Sequence, residues 1–417
     1  MKKIIINGGK ELTGQIKISG AKNSAVALIP AAILSDDIVT IYNVPNISDI
    51  EAEKEILEYL GAKVTIDNGT VTIDSRTIVN KEIPENISKK LRASYYFMAA
   101  LLGKFNHVEM YFPGGCSIGA RPIDQTLKGF KSLGSTVIEN DNKFVIDAKE
   151  LKGGHIYLDM PSVGATVNTM ITAVKAKGQT IIENAAKEPE IVNLAIFLNN
   201  LGAKISGAGT NEIKIKGVDK LSGGFTEVIP DRIEAGTYVI AGALMGNKLE
   251  IKNIIPEHIE PLTLKLTEMG VPMQIKEDSI IVSKTHKYNP VNIKTLGYPG
   301  FPTDLQQPIT TLLLCCSGTS VLEETIYENR FQNIPYLNEM GASIEIDKRK
   351  IYVKGPTKLF GKDVVATDLR AGACMILAGL IAEGTTKISN VDHILRGYEN
   401  IIDKLANINA EIKLIEE

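Results

Sequence analysis

A chain of 417 residues is longer than one compact core supports, which points to two domains of roughly 200 residues each. Its 46 basic and 49 acidic residues leave a net charge of -3, and the two signs alternate rather than segregate, which argues against nucleic acid as the main partner. Four cysteines make no disulfide framework, the opening MKKIIINGGKEL is too weakly apolar for a signal peptide, and no apolar run reaches the length of a membrane span; a cytoplasmic protein with no membrane partner is expected.

In chain order the first predicted element is a helix of small and apolar residues, GAKNSAVALIPAAIL. The strand IVTIYNVP follows, then an amphipathic helix ending in YLGAKVTI, then the hairpin KVTIDNGTVTID with an Asn-Gly type I′ turn. Helices of the first kind recur in LRASYYFMAALLG, VGATVNTMITAVKAKG, RIEAGTYVIAGALMG, PTDLQQPITTLLLCCSG and LRAGACMILAGLIAEG. They are apolar nearly all round, so each is predicted to be buried.

The YLGAKVTI phrase also returns, its key residue falling at Gly61, Gly134, Gly202, Gly270, Gly341 and Asn409, at intervals of 73, 68, 68, 71 and 68 residues. Glycine or asparagine there suits a left-handed helix C-terminus that leads into a strand. Six such units fill the chain, three per half. A solenoid is the alternative, but solenoid repeats are shorter and seldom enclose a wholly apolar helix. Buried helices surrounded by strands reverse the usual barrel.

The residues that open the buried helices carry the chemistry. Lys22 and Asn23 begin the first, Arg92 the second, Ser162 and Gly164 the third, Asp304 the fifth and Arg370 the sixth, while Arg121 and Pro122 open an amphipathic one. Helix N-termini attract anions, and lysine and arginine beside them favour phosphate or carboxylate. Arg330 and Arg396 follow strand-like stretches at matching places in the last two repeats. Cys116, in the glycine-rich FPGGCSIGARP with Arg121 nearby, is either an incidental loop cysteine or a thiol made acidic by a cation. Cys315, Cys316 and Cys374 lie in apolar helices and read as packing residues. Asp304 is either a helix cap or a general base. The five histidines are scattered, no phosphate-loop or dinucleotide motif occurs, and neither a metal nor a cofactor is expected.

The phrases SGAKNSA, LRASYYFM, GGCSIGARPID, PSVGAT, IIENAAKEPEI, PDRIEAGTY, GFPTDLQ, ETIYENRF, TDLRAGA and RGYENI, in that order, resemble the UDP-N-acetylglucosamine 1-carboxyvinyltransferase family along nearly the whole chain. The resemblance implies an inside-out α/β barrel of two similar domains, each of three βαβαββ-type repeats with buried helices. It places one domain at residues 22–229 and the other at 1–21 with 230–417, with the active site in the cleft between them. It implies transfer of the enolpyruvyl group of phosphoenolpyruvate to the 3-hydroxyl of UDP-N-acetylglucosamine, releasing phosphate through a tetrahedral ketal, as the first committed step of peptidoglycan synthesis.

Carried over position by position, Cys116 resembles the proton donor to the methylene carbon and the thiol alkylated by fosfomycin. Asp304 resembles the base facing the sugar hydroxyl. Lys22, Arg121 and Arg396 resemble the phosphate-side cations, with Asn23 beside Lys22, and Arg330 and Arg370 the carboxylate-side ones. Arg92, the run Arg121, Pro122, Ile123, Asp124 and Gln125, then Ser162, Val163, Gly164, Asp304 and Ile326, resemble contacts to the sugar nucleotide. Thr126 and Met160 depart from the His and Lys that some members carry. The rivals are 3-phosphoshikimate 1-carboxyvinyltransferase, on the same fold, and a non-catalytic sugar-nucleotide-binding duplicate.

Overall fold

The computed structural model describes residues 2–416 apart from Leu91, residues 115–122, Asp141 and the side chain of Arg92. The chain divides into two compact units, one built from residues 2–19 and 230–416, the other from 20–114 and 123–229. Each has a hydrophobic core of its own.

The six predicted buried helices all form. They span Lys22–Ala31, Tyr96–Phe105, Val163–Ala173, Arg232–Met245, Gln306–Leu313 and Leu369–Ile381. In the last of these every residue from Arg370 to Leu380 is buried. A fully buried leucine or isoleucine is stabilised by roughly 1.5–3 kcal/mol, so these helices are held by burial on all sides rather than by an amphipathic stripe. Cys374 lies within the sixth helix, but Cys315 and Cys316 come just after the fifth, which stops at Leu313.

Around the helices lie six sheets among the described residues, three in each unit. One pattern recurs. Gly224–Glu227 runs parallel to Ile38–Tyr42, which pairs antiparallel with Thr70–Asp74, itself the hairpin partner of Lys63–Asp67. Side chains alternate as a half-buried strand requires: Val39 and Ile41 are wholly buried, while Ile38 and Tyr42 are exposed. Four other sheets repeat this order; the sheet of His107–Tyr111 has three strands.

The hairpin turn has the predicted left-handed pair, with φ of 46° at Asn68 and 75° at Gly69. The repeat glycines Gly61, Gly134, Gly202, Gly270 and Gly341 have φ between 83° and 109°, and Asn409 has 79°. A second left-handed series lies at strand ends. Asn43, Asn184, Asn253 and Asn390, each just after a strand, sit at φ of 56–57°. Asparagine tolerates this region because its amide bonds locally. Asn43 Nδ2 donates to the Val228 carbonyl, Asn184 to Leu158 and Asn253 to Ile18, each at 2.8 Å, tying the turn to the neighbouring parallel strand.

The strand assignments at the unit boundary follow contact rather than sequence order. Gly224–Glu227 precedes the fourth central helix but belongs to the first sheet, whereas Gln15–Lys17 precedes the first central helix but pairs with Leu249–Lys252. Lys2–Asn7 fills the sixth sheet between Thr385–Ser389 and Glu411–Glu416.

Ser19, where the chain leaves the first unit, is fixed by a partly buried polar network. Its N–H donates to Glu234 Oε2 at 2.8 Å, and its carbonyl accepts from Asp231 N–H at 2.9 Å. Lys404 Nζ bonds both Ser19 Oγ and Glu234 Oε1 at 2.6 Å. Burial pushes the Glu234 carboxyl up to about 7, against the opposing pull of Lys404. An acid whose folded pKa exceeds its unfolded one binds more protons when folded, so stability falls as pH rises between the two values. Relative to Glu234→Gln, the wild type should lose roughly 3 kcal/mol between about pH 4.5 and 7. Urea unfolding of both proteins across that window tests this, and parallel curves would refute it.

Candidate functional site

In the unit that contains the last three repeats, the sequence-selected residues Asp304, Arg330 and Arg370 come together. Asp304 lies in a 3-10 turn, Thr303–Leu305, that leads into the fifth central helix. It does not cap that helix: its Oδ1 accepts from Arg330 Nη2 at 2.7 Å and its Oδ2 from Arg370 Nη2 at 3.0 Å. Both arginines are only 3% exposed. Burial alone would raise the Asp304 carboxyl, but the charges of Arg370 and Arg330, with their hydrogen bonds, outweigh it and hold the group far below the ordinary carboxylate range.

Each guanidinium has its own support. Arg370 is the second residue of the sixth central helix, whose N-cap Asp368 accepts from the Arg370 and Ala371 N–H groups at 2.8 and 3.0 Å. Its guanidinium carbon lies 5.2 Å from the ring centroid of Tyr398, whose hydroxyl is 2.9 Å from Thr237 Oγ1. Arg330 stands over Tyr327 at the same distance, 5.2 Å, and donates through Nη1 to Thr303 Oγ1 at 2.8 Å. Arginine stacked on aromatic faces keeps its planar fork oriented. Ile326 is 41% exposed on the turn before Arg330, and Arg396 ends the short helix Asp392–Leu395.

The other unit holds a second group. Lys22 begins the first central helix, and its Nζ lies 2.6 Å from Asp49 Oδ2, with Lys22 14% and Asp49 4% exposed. One turn further along the Asp49 helix, Glu53 is fully buried; burial and the Asp49 charge push its carboxyl well above the ordinary range, while Lys22 opposes them. Asn23 follows Lys22 in the same helical turn.

At the third central helix, Ser162 is the N-cap, its Oγ accepting from Ala165 N–H at 3.2 Å, with Val163 and Gly164 in the first turn. A Cβ on Gly164 would lie 1.8 Å from the Tyr95 hydroxyl, so the Tyr95 side chain occupies the space that a side chain at position 164 would need. Earlier in the chain, Asp124 begins the amphipathic helix Asp124–Ser132, directly after Ile123. Gln125 donates to Asp159 Oδ2 at 2.9 Å and accepts the Asp159 N–H at 2.8 Å, anchoring the segment that precedes Ser162. Of the two departures, Thr126 is 2% exposed and faces the core, whereas Met160 is 61% exposed.

Cys116, Arg121 and Pro122 lie outside the described residues, as does the Arg92 side chain. Burial pushes the thiols of Cys315 and Cys374 up to about 12 and about 11, which makes neither a nucleophile at neutral pH. The supporting residues Asp49 and Tyr398 were not singled out from sequence, since each meets a partner distant in the chain; Asp368, which caps its own helix, could have been found from the Asp that directly precedes the apolar run LRAGACMILAGLI.

Removing the shared carboxylate tests the arrangement. Asp304→Ala leaves two buried guanidinium groups uncompensated and should cost about 3–5 kcal/mol. Chemical denaturation should show this loss and its partial recovery in sulfate, which can sit between the two cations. An unchanged transition would show that Asp304 does not hold the pair.

A family model described as EPSP synthase (3-phosphoshikimate 1-carboxyvinyltransferase) matches residues 6–405. The chain is 52% identical to the UDP-N-acetylglucosamine 1-carboxyvinyltransferase 2 of Listeria innocua, over 98% of this chain and 97% of that one. It is likewise 52% identical to the protein of that name from Geobacillus kaustophilus, over 99% and 96%. Among solved structures, the enolpyruvyl transferase NikO from Streptomyces tendae is similar with a TM-score of 0.90 at 26% identity, covering 99% of this chain and 98% of that one. EPSP synthase from Acinetobacter baumannii shares the fold, with a TM-score of 0.77 at 16% identity over the full length of both chains. The predicted fold class thus holds, and the chain belongs to the enolpyruvyl transferase family, among its UDP-N-acetylglucosamine 1-carboxyvinyltransferases.

Proposed function

We propose that this protein transfers the enolpyruvyl group of phosphoenolpyruvate to the 3-hydroxyl of UDP-N-acetylglucosamine, releasing phosphate, in the cytoplasmic opening of peptidoglycan synthesis. The observation that carries the reading is the 52% identity, over 98% of the chain, to a protein of that activity. The shikimate alternative has less support, since the EPSP synthase structures are 16–17% identical and speak for the fold alone. Among the described residues no helix is long and apolar enough to cross a membrane.

The proposed chemistry balances without further reactants. A proton passes from the Cys116 thiol to the methylene carbon as the sugar oxygen bonds to C2 and gives its own proton to Asp304. The Cys116 thiolate then takes back a proton from the new methyl group as phosphate leaves, which restores the vinyl double bond, and Asp304 gives its proton to the departing phosphate. Lys22, Arg121 and Arg396 are assigned to the phosphate, and Arg330 and Arg370 to the carboxylate, with Asn23 beside Lys22. Arg92, Arg121 to Gln125, Ser162 to Gly164 and Ile326 are assigned to the sugar nucleotide. These assignments draw on both proposed domains, residues 22–229 and residues 1–21 with 230–417.

Asp304 as it stands is a poor base, because two guanidinium groups hold its charge. An incoming carboxylate competes for those same donors, and loosening either contact raises the proton affinity of Asp304. The base is therefore expected to become competent when the anionic substrate arrives.

The decisive measurement is phosphate release from phosphoenolpyruvate, which should require UDP-N-acetylglucosamine and be unaffected by shikimate 3-phosphate. Cys116→Asp keeps a group able to donate a proton and should retain turnover, whereas Cys116→Ser, far too weak an acid, should lose nearly all of it. Fosfomycin should inactivate the wild type and spare the Asp variant. Equal rates for Cys116→Ser and wild type would remove the thiol from the mechanism.

A further inference from the structure

Glu324 is completely buried, yet no step described above uses it. It directly follows the strand Gly318–Glu323. Four uncharged groups donate to it. Oε1 accepts from the Thr295 hydroxyl at 3.0 Å and from the N–H groups of Ile326 and Tyr327 at 2.7 and 3.1 Å. Oε2 accepts from the Thr303 hydroxyl at 2.8 Å. Three donors converge on Oε1 and one on Oε2, so both oxygens of the carboxylate are hydrogen-bonded. Burying such a group costs stability unless it is fully bonded, and apolar packing usually serves a core better.

Where the four donors lead gives the group a purpose. Thr303 has a single hydroxyl proton, and it is committed to Glu324. The same oxygen therefore meets Arg330 Nη1, at 2.8 Å, with a lone pair. Arg330 Nη2 in turn donates to Asp304. On its other oxygen Glu324 fixes the turn that carries Ile326 and runs on to Arg330. Thr325 reinforces that turn: its N–H donates to Thr295 Oγ1 at 2.9 Å and its hydroxyl to the Thr295 carbonyl at 2.6 Å.

We propose that Glu324 is a positioning residue for this site: it polarises the Thr303 hydroxyl so that Arg330 is aimed at Asp304, and it anchors the turn of Ile326. The proposal rests on the assignment of Asp304 and Arg330 to the reaction centre. An acceptor-only group at 324 is essential. Glutamine keeps the shape but must turn its NH2 either toward Thr303, reversing the hydroxyl and setting donor against donor at Arg330, or toward the three donors on the other side.

Phosphate release with both substrates, measured on the full chain alongside thermal unfolding, tests the proposal through Glu324→Gln, Thr303→Val and Thr303→Ser. Misplacement of a catalytic group on the ångström scale costs roughly 100-fold in rate. Thr303→Val, which keeps the volume and removes the relay, should lose about that factor in kcat with KM for UDP-N-acetylglucosamine little changed. Glu324→Gln should either lose kcat similarly, with its NH2 turned to Thr303, or raise that KM, with its NH2 turned to the donors around Ile326; wild-type kcat and KM together would overturn the proposal. Thr303→Ser restores the hydroxyl and should restore kcat. If Glu324→Gln does not fold, the valine and serine pair still decides the relay. Wild-type kcat in Thr303→Val, or equal losses in Val and Ser, overturns the proposal alone. A wild type that releases no phosphate overturns the functional reading and this proposal with it.

Discussion

One carboxylate shared between two buried arginines is the constraint on which the candidate site depends. Arg330 and Arg370 are each 3% exposed, a degree of burial that charged side chains reach only when paired. Asp304 supplies the common partner, from the turn that leads into the fifth central helix. The supports converge from separate elements: Asp368 caps the sixth helix beneath Arg370, while Thr303 and Tyr327 flank Arg330. A cluster assembled this way reorganises little when an anion enters, which is the condition under which fixed charges stabilise developing charge best.

The architecture explains how such a cluster is afforded. Helices buried all round keep their polar and charged residues at their first turns, while the sheets lie around them with alternate side chains exposed. Residues such as Lys22, Ser162, Asp304 and Arg370 can then occupy equivalent helix starts without disturbing the apolar interior. The asparagines at φ near 57° serve the same end, turning the chain sharply after a strand and bonding to the strand alongside.

Much of this was legible in the sequence where local physics decides. Gly61 through Asn409 announced left-handed helix ends because few other residues tolerate that backbone, and the central helices stood out because they lack a polar face. Lys22, Asp304 and Arg370 were visible as charges at helix starts. Long-range pairing was not. The parallel strands Gln15–Lys17 and Gly224–Glu227 have three and four residues, too few to show alternation, so nothing local reports which sheet each one joins. Nor does Asp304 reveal that it pairs with arginines 26 and 66 residues away instead of capping its own helix. Glu324 reads as one acid among many until its neighbours are seen.

The strand Lys2–Asn7 carries a consequence for how the protein is made. Asn7 and its cross-strand neighbour Glu411 are 404 residues apart, so a chain growing at roughly 5–20 residues per second leaves this strand unpaired for tens of seconds. During that wait the middle unit can fold around its own core, whereas KKIIIN has no sheet to join on either edge. Its two leading lysines are the kind of charge that keeps a lone apolar strand from pairing with other nascent chains. The sheet that holds Lys2–Asn7 in the unit that carries Asp304 thus forms only after the middle unit has been made, when strands some 400 residues apart pair.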